Sequence, residues 1–249
     1  MNRRTQIIGI DCAVAAKNTA VAHGWSENGR VIVDRVVACT PKQDAVATIG
    51  ALLKDERPLL FCLDAPLGWP KRLGEALGKH RAGDPIDAEA HALFRRETDR
   101  IVKRETGQQP LDVGADRIAR TAEAALSLLA AVRNRTGASI PLAWTPDEIP
   151  DASAIEVYPA ATMRQLGIAA RGYKDVAAVQ QRRAIISALK LFADLTQIEE
   201  SIVTGDELDA VLCVLAGSDF LARRCLLPSD RNSAEREGWI WVRQNNCSD

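Results

Sequence analysis

The chain predicts an α/β protein: a mixed five-stranded sheet in the order 3-2-1-4-5, helices on both faces, and an insertion after the fourth strand. Three observations carry this reading. Short β-branched and apolar runs are interspersed with longer stretches of helical periodicity. The first three runs follow one another closely, as in an antiparallel meander. The fourth is apolar almost throughout, which suits a strand covered on both faces beside a parallel neighbour.

Residues 5–13, TQIIGIDCA, form the first strand and bring Asp11 to its end. Residues 19–27, TAVAHGWSE, and 30–39, RVIVDRVVAC, are the next two, separated by Asn28-Gly29. That dipeptide marks a tight hairpin, because a primed turn needs positive φ. Residues 41–54 open with Pro41 and place Val46, Ile49, Leu52 and Leu53 at helical spacing. The fourth strand, in PLLFCLD, delivers Asp64 and is stopped by Pro66, Gly68 and Pro70.

An insertion is expected at about residues 69–110, with a helix-like segment over 91–105. From Lys71 to Arg104 it holds nine Lys/Arg against six Asp/Glu. Arg95, Arg96, Arg100 and Lys103 are expected to turn a basic surface toward the acidic cleft. A long amphipathic helix over 115–135 stops at Gly137, and a short strand over 153–159 carries Glu156. Helices are expected at about 160–167 and 175–194, then over 205–224, with a last short strand at 237–243. With no internal repeat and no low-complexity linker, residues 1–249 are expected to form a single domain.

Composition narrows the function classes. The chain is 47% hydrophobic and 26% charged, with a net charge of −1. That balance excludes a generally polycationic nucleic-acid binder but leaves room for one basic face. No stretch approaches the roughly 20 apolar residues of a membrane span. The start, MNRRTQIIGID, passes from charge directly into a strand, and the six cysteines show no CxxC spacing. A cytoplasmic protein is expected.

The informative pattern is acidic. Asp11, Asp64 and Glu156 fall at the ends of strands one, four and five, which adjoin in the expected order. Asp206 and Asp209 stand three apart at the start of the last long helix, near neighbours on one face. Asp206 also suits a helix cap. Carboxylates gathered in a partly buried cleft repel one another, and divalent ions relieve that repulsion. Oxygen-only ligands suit Mg²⁺ or Mn²⁺, and two such ions can activate water and stabilise the leaving oxygen of a phosphodiester.

The motifs IIGIDCA, LLFCLDAPLGWP, RRETDR, IEVYPAA, RGYK, GDELDAVLCVLAG and GWIWV resemble, in order and over nearly the whole chain, those of a bacterial and archaeal family. It is known as domain of unknown function 429 and described as predicted nucleases of ribonuclease H-like fold. The helix GDELDAVLCVLAG is also similar to the final, acid-bearing helix of Holliday-junction resolvases. The resemblance implies a ribonuclease H-like domain with Asp11, Asp64, Glu156 and Asp209 as metal ligands and Asp206 as a helper in catalysis. It further points to Arg96, Asp99 and Lys174 as substrate-binding residues, with Arg96 and Asp99 equally placed to pair with each other. The glutamate that ribonucleases H carry in the helix after strand three is missing; Asp44 is the acid near that helix, so Asp64 takes the ligand's place.

The expected function is therefore a metal-dependent nuclease acting on DNA or RNA through an acidic two-metal centre. Two alternatives come from other classes. A non-catalytic ribonuclease H-like binding module would suit the near-neutral charge. An actin-like ATPase or kinase relative would need a glycine-rich turn after the first aspartate, where Cys12, Ala13 and Val14 stand instead. The segment GEALGKH lacks phosphate-loop spacing, and His23, His80 and His91 show no zinc-like spacing with cysteine.

Overall fold

Strand and helix boundaries follow local chemistry in a computed structural model of the chain, which describes residues 4–54, 58–114, 116–169 and 171–245. Strand β1 (Thr5–Asp11) is buried along its whole length. It pairs antiparallel with β2 (Ala20–Glu27), which turns through Asn28 and Gly29, both at positive φ, into β3 (Arg30–Ala38). Asp44 caps helix α1 (Ala45–Leu52) by accepting the Ala47 amide proton at 2.8 Å. Asp44 is thus a helix cap and stands outside the acidic centre. Strand β4 (Leu59–Asp64) then returns parallel to β1, and β5 (Ala152–Glu156) lies parallel to β4. The sheet order is β3-β2-β1-β4-β5, as expected.

Both faces are covered. One face packs Ile8, Ile10, Phe61 and Leu63 against α1 and the long helix α5 (Asp116–Thr136), through Ile49, Ala125, Leu129 and Val132. Helix α5 runs to Thr136 and ends at Gly137 at positive φ; residue 115, its expected start, lies outside the described residues. The other face packs Ile7, Leu60 and Cys62 against helix α8 (Gly205–Leu221). Helix α8 is buried almost all round, so its apolar residues form no single stripe. It lies very close to the sheet: a Cβ on Gly9 would sit 2.2 Å from the Ala210 carbonyl oxygen. Side-chain-free Gly9 is what permits that approach.

Between β4 and α5 lie α2 (Lys71–Leu77), α3 (Ala90–Phe94) and α4 (Glu97–Thr106). The single helix expected over 91–105 is broken at Arg95 and Arg96, whose backbones are extended. The Arg96 amide donates to Asp99 Oδ2 at 2.8 Å, starting a new helix, while the guanidinium turns inward. Helices α6 (Pro159–Gln165) and α7 (Val179–Leu189) follow β5, and α9 (Arg231–Glu237), which the sequence reading lacks, follows α8.

The strand expected at 237–243 is reduced to isolated bridges, Ile240 parallel to Glu156 of β5 and Arg243 antiparallel to Cys225, and Glu237 belongs to the preceding helix. The segment's backbone bonds are divided: Gly238 to the Ala234 carbonyl, Ile240 to the Thr98 hydroxyl, Trp241 to the Glu156 carbonyl, and the Val242 carbonyl to the Leu226 amide. No ladder can form from bonds divided in this way. Among the described residues, no helix is long and apolar enough to cross a membrane.

Candidate metal centre

Register brings the first two acids together. Asp11 and Asp64 are direct partners across the parallel β1–β4 pair, so their side chains leave the same face of the sheet. That face is the one α8 covers, and the second turn of α8 sets Asp209 above them. Asp11, Asp64 and Asp209 each offer an oxygen atom, and these atoms lie within 4.8 Å of one another. Asp11 and Asp209 are buried, and Asp64 opens partly to a cleft of about 260 Å³.

The electrostatics are those of an under-compensated anionic site. Burial, then Asp64 and Asp209, push the Asp11 carboxyl well above its usual range. Burial and the charge of Asp209 push Asp64 up to about 8, against an opposing pull from Lys174. Burial also raises Asp209, although Lys174 and Tyr173 hold it down. The Tyr173 hydroxyl donates to Asp209 Oδ1 at 2.6 Å. The Lys174 ammonium pairs with Oδ2 at 2.5 Å. A buried acceptor with spare lone pairs, beside two further carboxylates, is a fitting ligand set for a hard divalent cation.

Glu156 belongs elsewhere, contrary to the expectation that it is a metal ligand. It is the register partner of Leu63, not Asp64, and alternation therefore sends its side chain to the opposite face. The β5-side residue level with Asp64 is Val157, whose amide bonds the Leu63 carbonyl at 2.9 Å and whose side chain joins the α8-side core. The Glu156 carboxylate is taken by Arg96 at 2.7 and 2.8 Å, and its Oε2 also accepts the Leu67 amide proton at 2.9 Å.

Of the two readings open for Arg96 and Asp99, the structure brings them together as a pair. Arg96 is 1% exposed and Asp99 fully buried, and they pair with each other at 2.9 and 3.2 Å. With Glu156 they form a closed ionic network that ties the loop after Asp64 to the insertion, and Arg96 also bonds the Glu237 carbonyl at 3.2 Å. Of the four residues expected to turn a basic surface toward the cleft, Arg96 alone lines it. Arg95 pairs with Asp112, Arg100 bonds the Arg95 carbonyl, and Lys103 bonds the Gly107 carbonyl; none of the three lines the cleft.

Lys174, by contrast, stands at the centre, and Asp206 stands beside it. Asp206 is partly exposed in the first turn of α8 and raises Asp11 through space. It is not the cap: Thr204 takes that place, with Glu207 closing the capping box. Two contributing residues escaped the sequence reading. Tyr173 is the residue before Lys174 in RGYK, a motif from which only the lysine was read. Arg182 is buried on α7 and donates to the carbonyls of Tyr173, Asp175 and Val176 at 2.8, 2.6 and 3.0 Å, which clamps the segment bearing Tyr173 and Lys174. Its position within an otherwise ordinary helical pattern offers no local signal.

Fold and site together define an α/β protein whose mixed sheet ends in a buried aspartate triad able to hold a divalent metal. A family model described as Protein of unknown function (DUF429) matches residues 9–233, and the chain belongs to that family. No curated protein and no solved structure matches the chain.

Proposed function

We propose that the protein is a metal-dependent nuclease, with Asp11, Asp64 and Asp209 holding Mg²⁺ or Mn²⁺ at the open end of β1 and β4. The observation that carries this reading is the convergence of the Asp11, Asp64 and Asp209 carboxylates, whose oxygens lie within 4.8 Å of one another. A bound ion there supplies an activated water and stabilises the leaving oxygen of a phosphodiester.

The protein's own residues have separable tasks. Asp11 and Asp209, both buried, are the rigid members of the ligand set. Asp64, open to the cleft, faces the substrate side. Tyr173 orients Asp209, and Arg182 fixes the backbone on which Tyr173 and Lys174 sit. Lys174 is the cation placed to meet a phosphate. Asp206 adds outer negative charge. The sheet order and the paired acids at the ends of β1 and β4 fit the ribonuclease H-like resemblance, although Glu156 on β5 does not, and that resemblance favours nucleic acid as the substrate. The free thiols Cys12, Cys39, Cys62, Cys213 and Cys225 suit a reducing, cytoplasmic setting.

The test is incubation of purified protein with labelled single-stranded, duplex and branched DNA and RNA, with Mg²⁺, Mn²⁺ or EDTA. Cleavage should require the metal and vanish in Asp209→Asn. Absence of cleavage of every substrate, together with equal Mn²⁺ affinity in wild type and Asp209→Asn, would remove both the site and the activity.

A further inference from the structure

We infer that Lys174 is the resident counter-cation of the metal-free acidic centre and yields that place to a divalent ion, its ammonium turning into the groove on its other side. This rests on the metal reading above. It adds a second position for a side chain that the phosphate-binding role alone does not require.

Four observations support it. The Lys174 ammonium is 2.5 Å from Oδ2 of Asp209, a member of the proposed ligand set. A divalent ion ligated by that carboxylate competes with the ammonium for its lone pairs and repels it at close range in a partly buried site, which favours the ammonium's departure. Arg96 also lines the cleft, but its guanidinium is committed to Glu156 and Asp99 and is not free to compensate the triad.

The third observation is room to move. Lys174 lines the acidic cleft and also a groove of about 1070 Å³, walled by Val179, Arg182, Ile186, Ile202 and Gly205. Its side chain is 57% exposed, so rotation about the side-chain bonds carries the ammonium from one space to the other. The fourth is a fixed pivot. Arg182 holds the carbonyls of Tyr173, Asp175 and Val176, and Gly205 packs so closely that an added Cβ would lie 2.9 Å from Lys174 Cα. The backbone stays in place while the long side chain exchanges partners. After the exchange the ammonium stands beside the occupied centre, where the phosphate of a substrate would arrive.

The test compares wild type, Lys174→Met and Lys174→Arg by calorimetric Mn²⁺ titration and by melting in EDTA or saturating Mn²⁺. Lys174→Met should bind Mn²⁺ about five- to tenfold more tightly, because no resident cation has to leave. It should melt about 2–4 °C lower than wild type in EDTA, with the gap closing in Mn²⁺. Lys174→Arg, which keeps the charge, should keep wild-type affinity and show that the effect belongs to the cation. A melting deficit that is equal with and without Mn²⁺, at unchanged affinity, would make Lys174 merely structural and overturn the inference. Weaker Mn²⁺ binding in Lys174→Met would also overturn it while leaving the metal centre standing. A wild type that takes up no Mn²⁺ would overturn the metal reading itself.

Discussion

Raising the pH should destabilise the metal-free protein, and Asp64 should carry much of the effect. Its carboxyl is pushed from an ordinary 3.8 up to about 8, first by burial and then by Asp209. Between those values the folded protein keeps a proton that the unfolded chain releases. Stability from this group is therefore complete below the unfolded value and is lost as pH rises toward about 8. Each unit of difference is about 1.4 kcal/mol, so the whole shift sets a ceiling of about 6 kcal/mol. Asp64 is partly open to the cleft and shares its repulsion with Asp11 and Asp209, so the loss should be about 2–4 kcal/mol, or about 5–10 °C in melting temperature. The assay is calorimetric melting at half-unit steps from pH 5 to 9 in EDTA, for wild type and Asp64→Asn. Wild type should fall steadily, Asp64→Asn should fall much less, and saturating Mg²⁺ should flatten the wild-type curve by taking the proton's place. Equal pH slopes for wild type and Asp64→Asn in EDTA would refute the reasoning.

Other changes follow from the same geometry. Arg96→Met strands Glu156 and Asp99 as unpaired buried acids and should cost about 3–5 kcal/mol by denaturant unfolding. Glu156→Gln leaves Arg96 paired with Asp99, so it should cost less, about 1–3 kcal/mol, and leave Mn²⁺ affinity within a few-fold of wild type. Loss of Mn²⁺ binding in a folded Glu156→Gln would return Glu156 to the ligand set. Gly9→Ala drives a Cβ into the Ala210 carbonyl and should cost about 3 kcal/mol, with Mn²⁺ affinity reduced because α8 carries Asp209. An unchanged melting temperature would show that α8 is not held that close.

Much of this architecture was legible without coordinates because its signals are local. Asn28-Gly29 needs no tertiary partner to make a hairpin. The apolar continuity of PLLFCL announces a strand covered on both faces, and Gly137 ends α5 by its own backbone freedom. From these the strand order followed, and with it the adjacency of Asp11 and Asp64. The start of α8 was legible too, since GDELDAVLCVLAG places acids at the positive end of a long apolar helix, and so Asp209 could be placed near the strand ends.

What only the tertiary structure decided is which acids face one another. Side chains alternate across a sheet, so a shift of one residue in register exchanges one face for the other. Asp64 pairs with Asp11 and looks toward α8, whereas Glu156 pairs with Leu63 and looks away. No spacing along the chain specifies that register; it is set by how β5 seats against β4. Once Glu156 is turned from the triad it becomes a buried charge in need of a partner, and Arg96 supplies one. The same requirement breaks the helix at Arg96 and closes the network with Asp99. The acids themselves belong to the sequence, but their division into a metal site and a structural ion network belongs to the fold, because a buried carboxylate takes its role from the neighbours that packing brings to it.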